Sequence, residues 1–431
     1  MSSRGGSESN HSDTFKKDEG AKWFGLVTKA RSGGRVSVIV ETPRLAKLVE
    51  SSVHAFEDSP GLQFPSITSF VGFTGAGKSV LIRSLIYHSA KDGTFSSFDA
   101  PVPGARSGEG LLLSTTGEVN LYAEPSTFGT KSPIFFADCK GIMGSEPLAS
   151  RYQNSWAKLG RKYRIQISMD RRTVVKKIYP RFLYIFSDVV CYVTKDHRSW
   201  ADTAVRLLEW SSAGAQTTIN QYTLPALIII LNAPIVENSD WVSDDQDAVT
   251  RDFFRVIENE LEANDNLTGL ASKYGDTSML ELFKRSYSSV HVHYIPLQGN
   301  GRLGNVDVVY KQTERLLARI KSDTARVQKN RAGSLTRFDN KQLSTIADLA
   351  FKHLATGSAE PFDFGRCRQH AGVLETLDSH FGEYLRHCFK SNIRLGLGAC
   401  VSALGSAIFM NALLAKDEGK YNTLMLGSLI L

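Results

Sequence analysis

Gly72-Phe73-Thr74-Gly75-Ala76-Gly77-Lys78-Ser79 meets the pattern G-x-x-x-x-G-K-[ST] at every required position. Ile67 to Val71, before it, is a β-branched and aromatic run that reads as a strand. Val80 to Ile86, after it, places apolar residues three and four apart, as a helix does. In a strand, glycine loop and helix taken in that order, successive backbone N–H groups turn toward an anion with the helix dipole behind them. The loop, together with Val80, is therefore the expected phosphate-binding segment. Lys78 would reach the terminal phosphates and the Ser79 hydroxyl would ligate Mg²⁺.

Two further stretches extend this site. Ser97 to Glu124 is a loop rich in Gly, Pro and Ser that carries Ser114-Thr115-Thr116-Gly117 before a predicted strand, Val119 to Tyr122. A threonine on a loop after the first helix can sense Mg²⁺ and the terminal phosphate through its hydroxyl and backbone. Thr115, two before the glycine, is the first choice and Thr116 the second. Pro133 to Gly141 (PIFFADCKG) is an apolar strand that ends on Asp138 in the pattern D-x-x-G. Asp138 would hold Mg²⁺ through water, and the Gly141 N–H could bond the terminal phosphate.

In this order the three segments resemble a GTPase of the translation-factor-related P-loop class. The long spacers are similar to its large members, the dynamin, atlastin and guanylate-binding-protein relatives, and to fungal GTPase-like proteins. The likeness covers about residues 60 to 320. It implies a Mg²⁺-dependent GTP site with Lys78, Thr115 and Gly141 in catalytic roles and Ser79, Thr115 and Asp138 around the metal. It also implies self-association through the nucleotide domain.

The sequence departs from that pattern at three points. Ile142 stands where Ras-type enzymes carry a glutamine that orients the attacking water. Gly75 stands where guanylate-binding proteins carry a catalytic arginine, with Thr74 and Arg106 as substitutes. The strand Leu224 to Leu231 runs into Asn232-Ala233-Pro234, so Asn232 fits the first position of the guanine-reading N/T-K-x-D motif. No Lys follows it and no Asp stands three beyond, although Glu237 and Asp240 lie nearby. Slow GTP hydrolysis is the expected activity, with ATP not excluded. A P-loop ATPase and a non-hydrolysing, nucleotide-gated interaction module stay open. A P-loop kinase would need neither the threonine nor D-x-x-G.

Across 431 residues, 42% hydrophobic and 22% charged residues make a soluble, globular balance with room for one large domain or two. The expected class is α/β, a doubly wound and mainly parallel sheet over residues 21–322. It would follow a polar tail at 1–20 and precede a linker at 323–337 and a helical region at 338–431. A net charge of +7 permits acidic partners without requiring them. The basic segment 151–181 could meet an acidic partner or anionic lipid, and it contains no specific nucleic-acid motif. Five unevenly spaced cysteines with no apolar leader before them read as a reducing, cytoplasmic setting. Cys367, His370, His387 and Cys388 are candidate zinc ligands, and His291 and His293 share one strand face. Leu395 to Ala415, uncharged over 21 residues, is long enough to cross a bilayer or to form a buried helix or hairpin. Membrane association therefore stays open.

Overall fold

The computed structural model describes residues 19–364 apart from 32–33, 57–61, 91–93, 95–96, 103–115, 143–155, 159, 167–172, 196–199, 212–222, 235–238, 298–303, 335, 358–361 and 363. Beyond 364 it describes Ser402 and Gly405. Contacts divide the chain into two units, Met1–Phe362 and Asp363–Leu431.

Nine strands form along the first unit: β1 (Lys22–Arg31), β2 (Gly34–Glu41), β3 (Ser66–Gly72), β4 (Val119–Ala123), β5 (Ile134–Cys139), β6 (Arg161–Arg164), β7 (Ser187–Thr194), β8 (Ala226–Asn232) and β9 (Ser289–Ile295). The helices are α1 (Arg44–His54), α2 (Lys78–Ser89), α3 (Tyr179–Phe186), α4 (Trp200–Ser211), α5 (Gln246–Ile257), α6 (Asn259–Ala263), α7 (Asp265–Tyr274), α8 (Met279–Lys284), α9 (Gly304–Gly333) and α10 (Asn340–Ala355). All nine strands join one sheet, in the order β6-β2-β1-β4-β5-β3-β7-β8-β9. The class is α/β. β5, β3, β7, β8 and β9 are parallel. Beyond β5 the sheet continues antiparallel through β4, β1, β2 and β6. The sheet is thus mixed, half of its pairings being antiparallel, and residues 22–41 supply two of its strands.

The parallel strands are buried on both faces, which is why they read as continuous apolar runs. Phe70, Phe136, Cys191 and Ile228 share a core with Leu81, Ile82 and Leu85 of α2 and Leu316 and Ile320 of α9. The alternate residues Phe135, Val190, Tyr192 and Ile229 are buried as well. Parallel strands all end on the same side, so Gly72, Cys139, Thr194 and Asn232 emerge at one edge of the sheet, where open α/β sheets place their ligands. α9 runs unbroken to Gly333, past the expected domain end at 322. Val327 belongs to the core and Gln328 and Arg331 are buried, so much of the stretch read as a linker is packed helix.

Within the basic segment, Arg161, Lys162 and Arg164 are exposed on β6, an edge strand, where charge hinders further strand addition. Among the described residues no helix is long and apolar enough to cross a membrane. The stretch 395–415 lies outside them except for Ser402 and Gly405, and so does the set Cys367, His370, His387 and Cys388.

Tyr163 points inward from β6, and its hydroxyl lies 3.0 Å from Glu41 Oε2 and 2.8 Å from Asp348 Oδ1. One phenol proton cannot serve two ionised carboxylates. Burial pushes Glu41 up to about 7 from its ordinary 4.5, against the pull of Tyr163 and Arg161. Asp348 is less buried, and against that burial it is held low by Lys352, Tyr163 and Arg161. Tyr163 keeps its own proton, and Glu41 takes up a second one as pH falls below about 7. Because its folded value lies above its unfolded one, the stability it contributes is complete below about pH 4.5 and is lost as pH rises to about 7. That loss is worth about 3 kcal/mol. Urea unfolding at pH 5 and pH 7.5 is expected to show this fall in the wild type, and Glu41→Gln should remove most of it. An equal fall in both proteins would place the titration elsewhere.

Candidate functional site

β3 ends at Gly72 and α2 begins at Lys78, with Gly77 at the N-cap and no side chain capping the helix. The first N–H groups of α2 are thus left for another acceptor. Gly77 has φ 89°, a left-handed conformation that favours glycine, and a Cβ there would come within 2.4 Å of Asn232 Nδ2 and displace that side chain. The same amide nitrogen donates to Ala76 O at 2.9 Å. Asn232 therefore ties the end of β8 to the glycine loop. Asp240 is exposed, and Glu237 and Arg106 lie outside the described residues.

Lys78 is buried beneath the loop, and its Nζ donates to Gly72 O at 3.2 Å and Phe73 O at 2.9 Å. Burial lowers its affinity for a proton, and Asp138 and Cys139 work the other way. The Cys139 thiol is itself pushed up to about 12 by burial, which makes it inert.

Ser79, Thr116 and Asp138 meet at the first turn of α2. Ser79 Oγ donates to Asp138 Oδ2 at 2.6 Å, Thr116 Oγ1 donates to the same oxygen at 2.9 Å, and the two hydroxyls are 2.9 Å apart. The other carboxylate oxygen, Asp138 Oδ1, is buried with no hydrogen-bond partner among the described residues. Burial raises the Asp138 carboxyl above the usual range, with Lys78, Ser79 and Thr116 pulling it back. Two hydroxyls and one carboxylate, whose Oδ1 is the orphaned oxygen, form a hard-oxygen donor set of the kind Mg²⁺ takes, with water and phosphate completing its shell. Among the described residues no group of three or more His, Cys, Asp and Glu side chains is placed to hold a metal.

The D-x-x-G segment lies along the loop. Ile142 N donates to Gly72 O at 3.0 Å and Thr74 N donates to Ile142 O at 3.1 Å. Gly141 faces Thr74 so closely that a Cβ would fall 2.3 Å from Thr74 Oγ1. Ile142 is 2% exposed and offers no polar side chain.

The structure thus brings together Lys78, Ser79, Asp138, Gly141 and Asn232. Of the two threonines, Thr116 reaches Asp138 and Thr115 lies outside the described residues. Nothing in the local sequence pattern marks Glu118. Its carbonyl accepts from Lys140 N, and its buried Oε2 accepts from Leu26 N at 3.1 Å and Tyr179 Oη at 2.5 Å. The segment between Thr116 and β4 is thereby fixed to β1 and α3. His293 is used in packing, with its ring nitrogens against Gln246 Oε1 and Gln312 O. No protein-family model matches the sequence, and no curated protein does.

Proposed function

We propose that this chain binds a nucleoside triphosphate with Mg²⁺ at Gly72–Ser79 and acts as a switch of the large-GTPase kind with slow hydrolysis. The observation that carries the reading is the Ser79–Thr116–Asp138 cluster at the mouth of the loop, with Asp138 Oδ1 buried and unpaired among the described residues. A glycine turn serving only as a strand–helix connection has no need of a buried carboxylate beneath it. The loop N–H groups and Lys78 would hold the phosphates, and Ser79, Thr116 and Asp138 would hold the cation. Bound there, Mg²⁺ would supply charge neutralisation at the terminal phosphates. Thr116, bonded to Asp138, and Gly141, packed against Thr74 of the loop, would respond to the terminal phosphate.

GTP is the proposed nucleotide on the resemblance of the three segments. Asn232 supports the loop, and the missing aspartate leaves ATP as the competing ligand. Slow turnover follows from Ile142, whose side chain is buried and whose backbone is bonded to the loop. The same observation favours a second reading, a module that binds nucleotide without hydrolysing it. Phosphate release separates the two, since turnover that stays absent at high protein concentration supports the module.

Isothermal titration with GTP and with ATP, each with Mg²⁺, tests the site. Lys78→Ala removes a charge-assisted contact worth about 1.5–3 kcal/mol, so affinity should fall about 10- to 100-fold. Binding that is indifferent to this substitution would remove Gly72–Ser79 as the site. A strong preference for ATP would overturn the GTPase reading and leave the site standing.

A further inference from the structure

We infer that Arg206 is a positioning residue of the glycine loop and acts through the ring of Phe73. The inference rests on the nucleotide reading above. Arg206 stands on α4, and its guanidinium carbon lies 5.1 Å from the centroid of the Phe73 ring. Its Nη1 is buried, with no hydrogen-bond partner among the described residues. The cation is therefore partly desolvated and rests on the π face, the setting in which such a contact is strongest. Phe73 is a working part of the loop. Its carbonyl takes Lys78 Nζ at 2.9 Å, and its backbone is bridged in parallel to Ile142. Holding this one ring fixes both the lysine that would reach the terminal phosphates and the segment that follows Asp138.

A salt bridge at this point would fix the guanidinium more firmly and would also cancel its charge. Stacking keeps a positive charge beside an anion site while the aromatic ring supplies the geometry.

The test is a double-mutant cycle read by titration with GTP and Mg²⁺, and with ATP in parallel. Arg206→Met keeps the length and apolar stem of the side chain, Arg206→Lys keeps the cation, and Phe73→Leu removes the ring. Arg206→Met is expected to weaken binding about five- to tenfold, and Arg206→Lys to restore it to within about twofold. Phe73→Leu should weaken binding comparably, and adding Arg206→Met to it should cost less than about twofold more. Amide exchange over residues 72–79, measured without nucleotide, should be faster in Arg206→Met than in the wild type. Fully additive losses would overturn the inference, because the arginine would then act without Phe73. Unchanged affinity together with unchanged exchange would overturn it too. A wild type that binds neither nucleotide sinks the nucleotide reading instead, and the exchange comparison then decides the role of Arg206 by itself.

Discussion

Asp138→Asn is expected to weaken Mg²⁺-dependent triphosphate binding about 100-fold and to leave the remaining affinity indifferent to Mg²⁺. Asparagine keeps the shape of the side chain and one acceptor oxygen for the hydroxyls of Ser79 and Thr116, which both point at Asp138 Oδ2. What it removes is the charge and the second oxygen, the one that has no partner among the described residues. The pH dependence should follow the same group. Burial holds the Asp138 carboxyl above its ordinary range, so a falling pH protonates it early. A cation needs the ionised form, so the gain in affinity from Mg²⁺ should shrink in the wild type as pH falls. The variant should show no such slope. Titrations with GTP in Mg²⁺ and in EDTA, at pH 6 and pH 8, read each of these effects. A variant that keeps its full response to Mg²⁺ would take Asp138 out of the metal site.

The parts of this site that were legible in the sequence are those whose chemistry is local. The loop could be read because glycines, Lys78 and Ser79 must stand at fixed spacing between a strand and a helix. Asp138 and Asn232 could be read because each ends an apolar run that becomes a buried parallel strand. The choice between Thr115 and Thr116 depended on register, which no local pattern contains. Asn120 pairs with Asp138 across β4 and β5, so their side chains share a face. In an extended chain the residues two and four before Asn120 lie on that face as well, which selects Glu118 and Thr116. Counting back from the glycine selects the neighbouring threonine instead. One residue of register separates the two answers.

The antiparallel wing was hidden for a similar reason. The alternation in Arg35 to Val40 announces a strand without naming its neighbour. β1 reaches the rest of the sheet by pairing Lys22 with Asn120 and Phe24 with Val119, partners nearly a hundred residues away. Composition misled at 323–337 in another way. A polar, basic stretch is usually solvated, and here its Arg331 and Gln328 are buried against a carboxylate on β7.

That buried contact carries the largest expected effect on stability. Arg331 Nε lies 2.7 Å from Asp188 Oδ1, with both side chains no more than 5% exposed. The pair is close in distance but not aligned as a hydrogen bond along Nε–H, while Gln328 Nε2 donates to Asp188 Oδ2 at 2.8 Å and Arg331 Nη2 to Ser187 O at 3.1 Å. Burial raises the Asp188 carboxyl, and Arg331 is the first of the groups that pull it back. Arg331→Met leaves that carboxyl in the core without its countercharge, so it should cost about 3–5 kcal/mol. Asp188→Leu added to Arg331→Met should recover most of the loss, because the second substitution removes the stranded carboxyl. The pair would then matter for docking α9 in one register on β7 more than for net stability. Urea midpoints of the wild type and the single and double variants decide this. A double variant as unstable as Arg331→Met would instead make the packing of the arginine stem, and not the charge pair, the source of the loss.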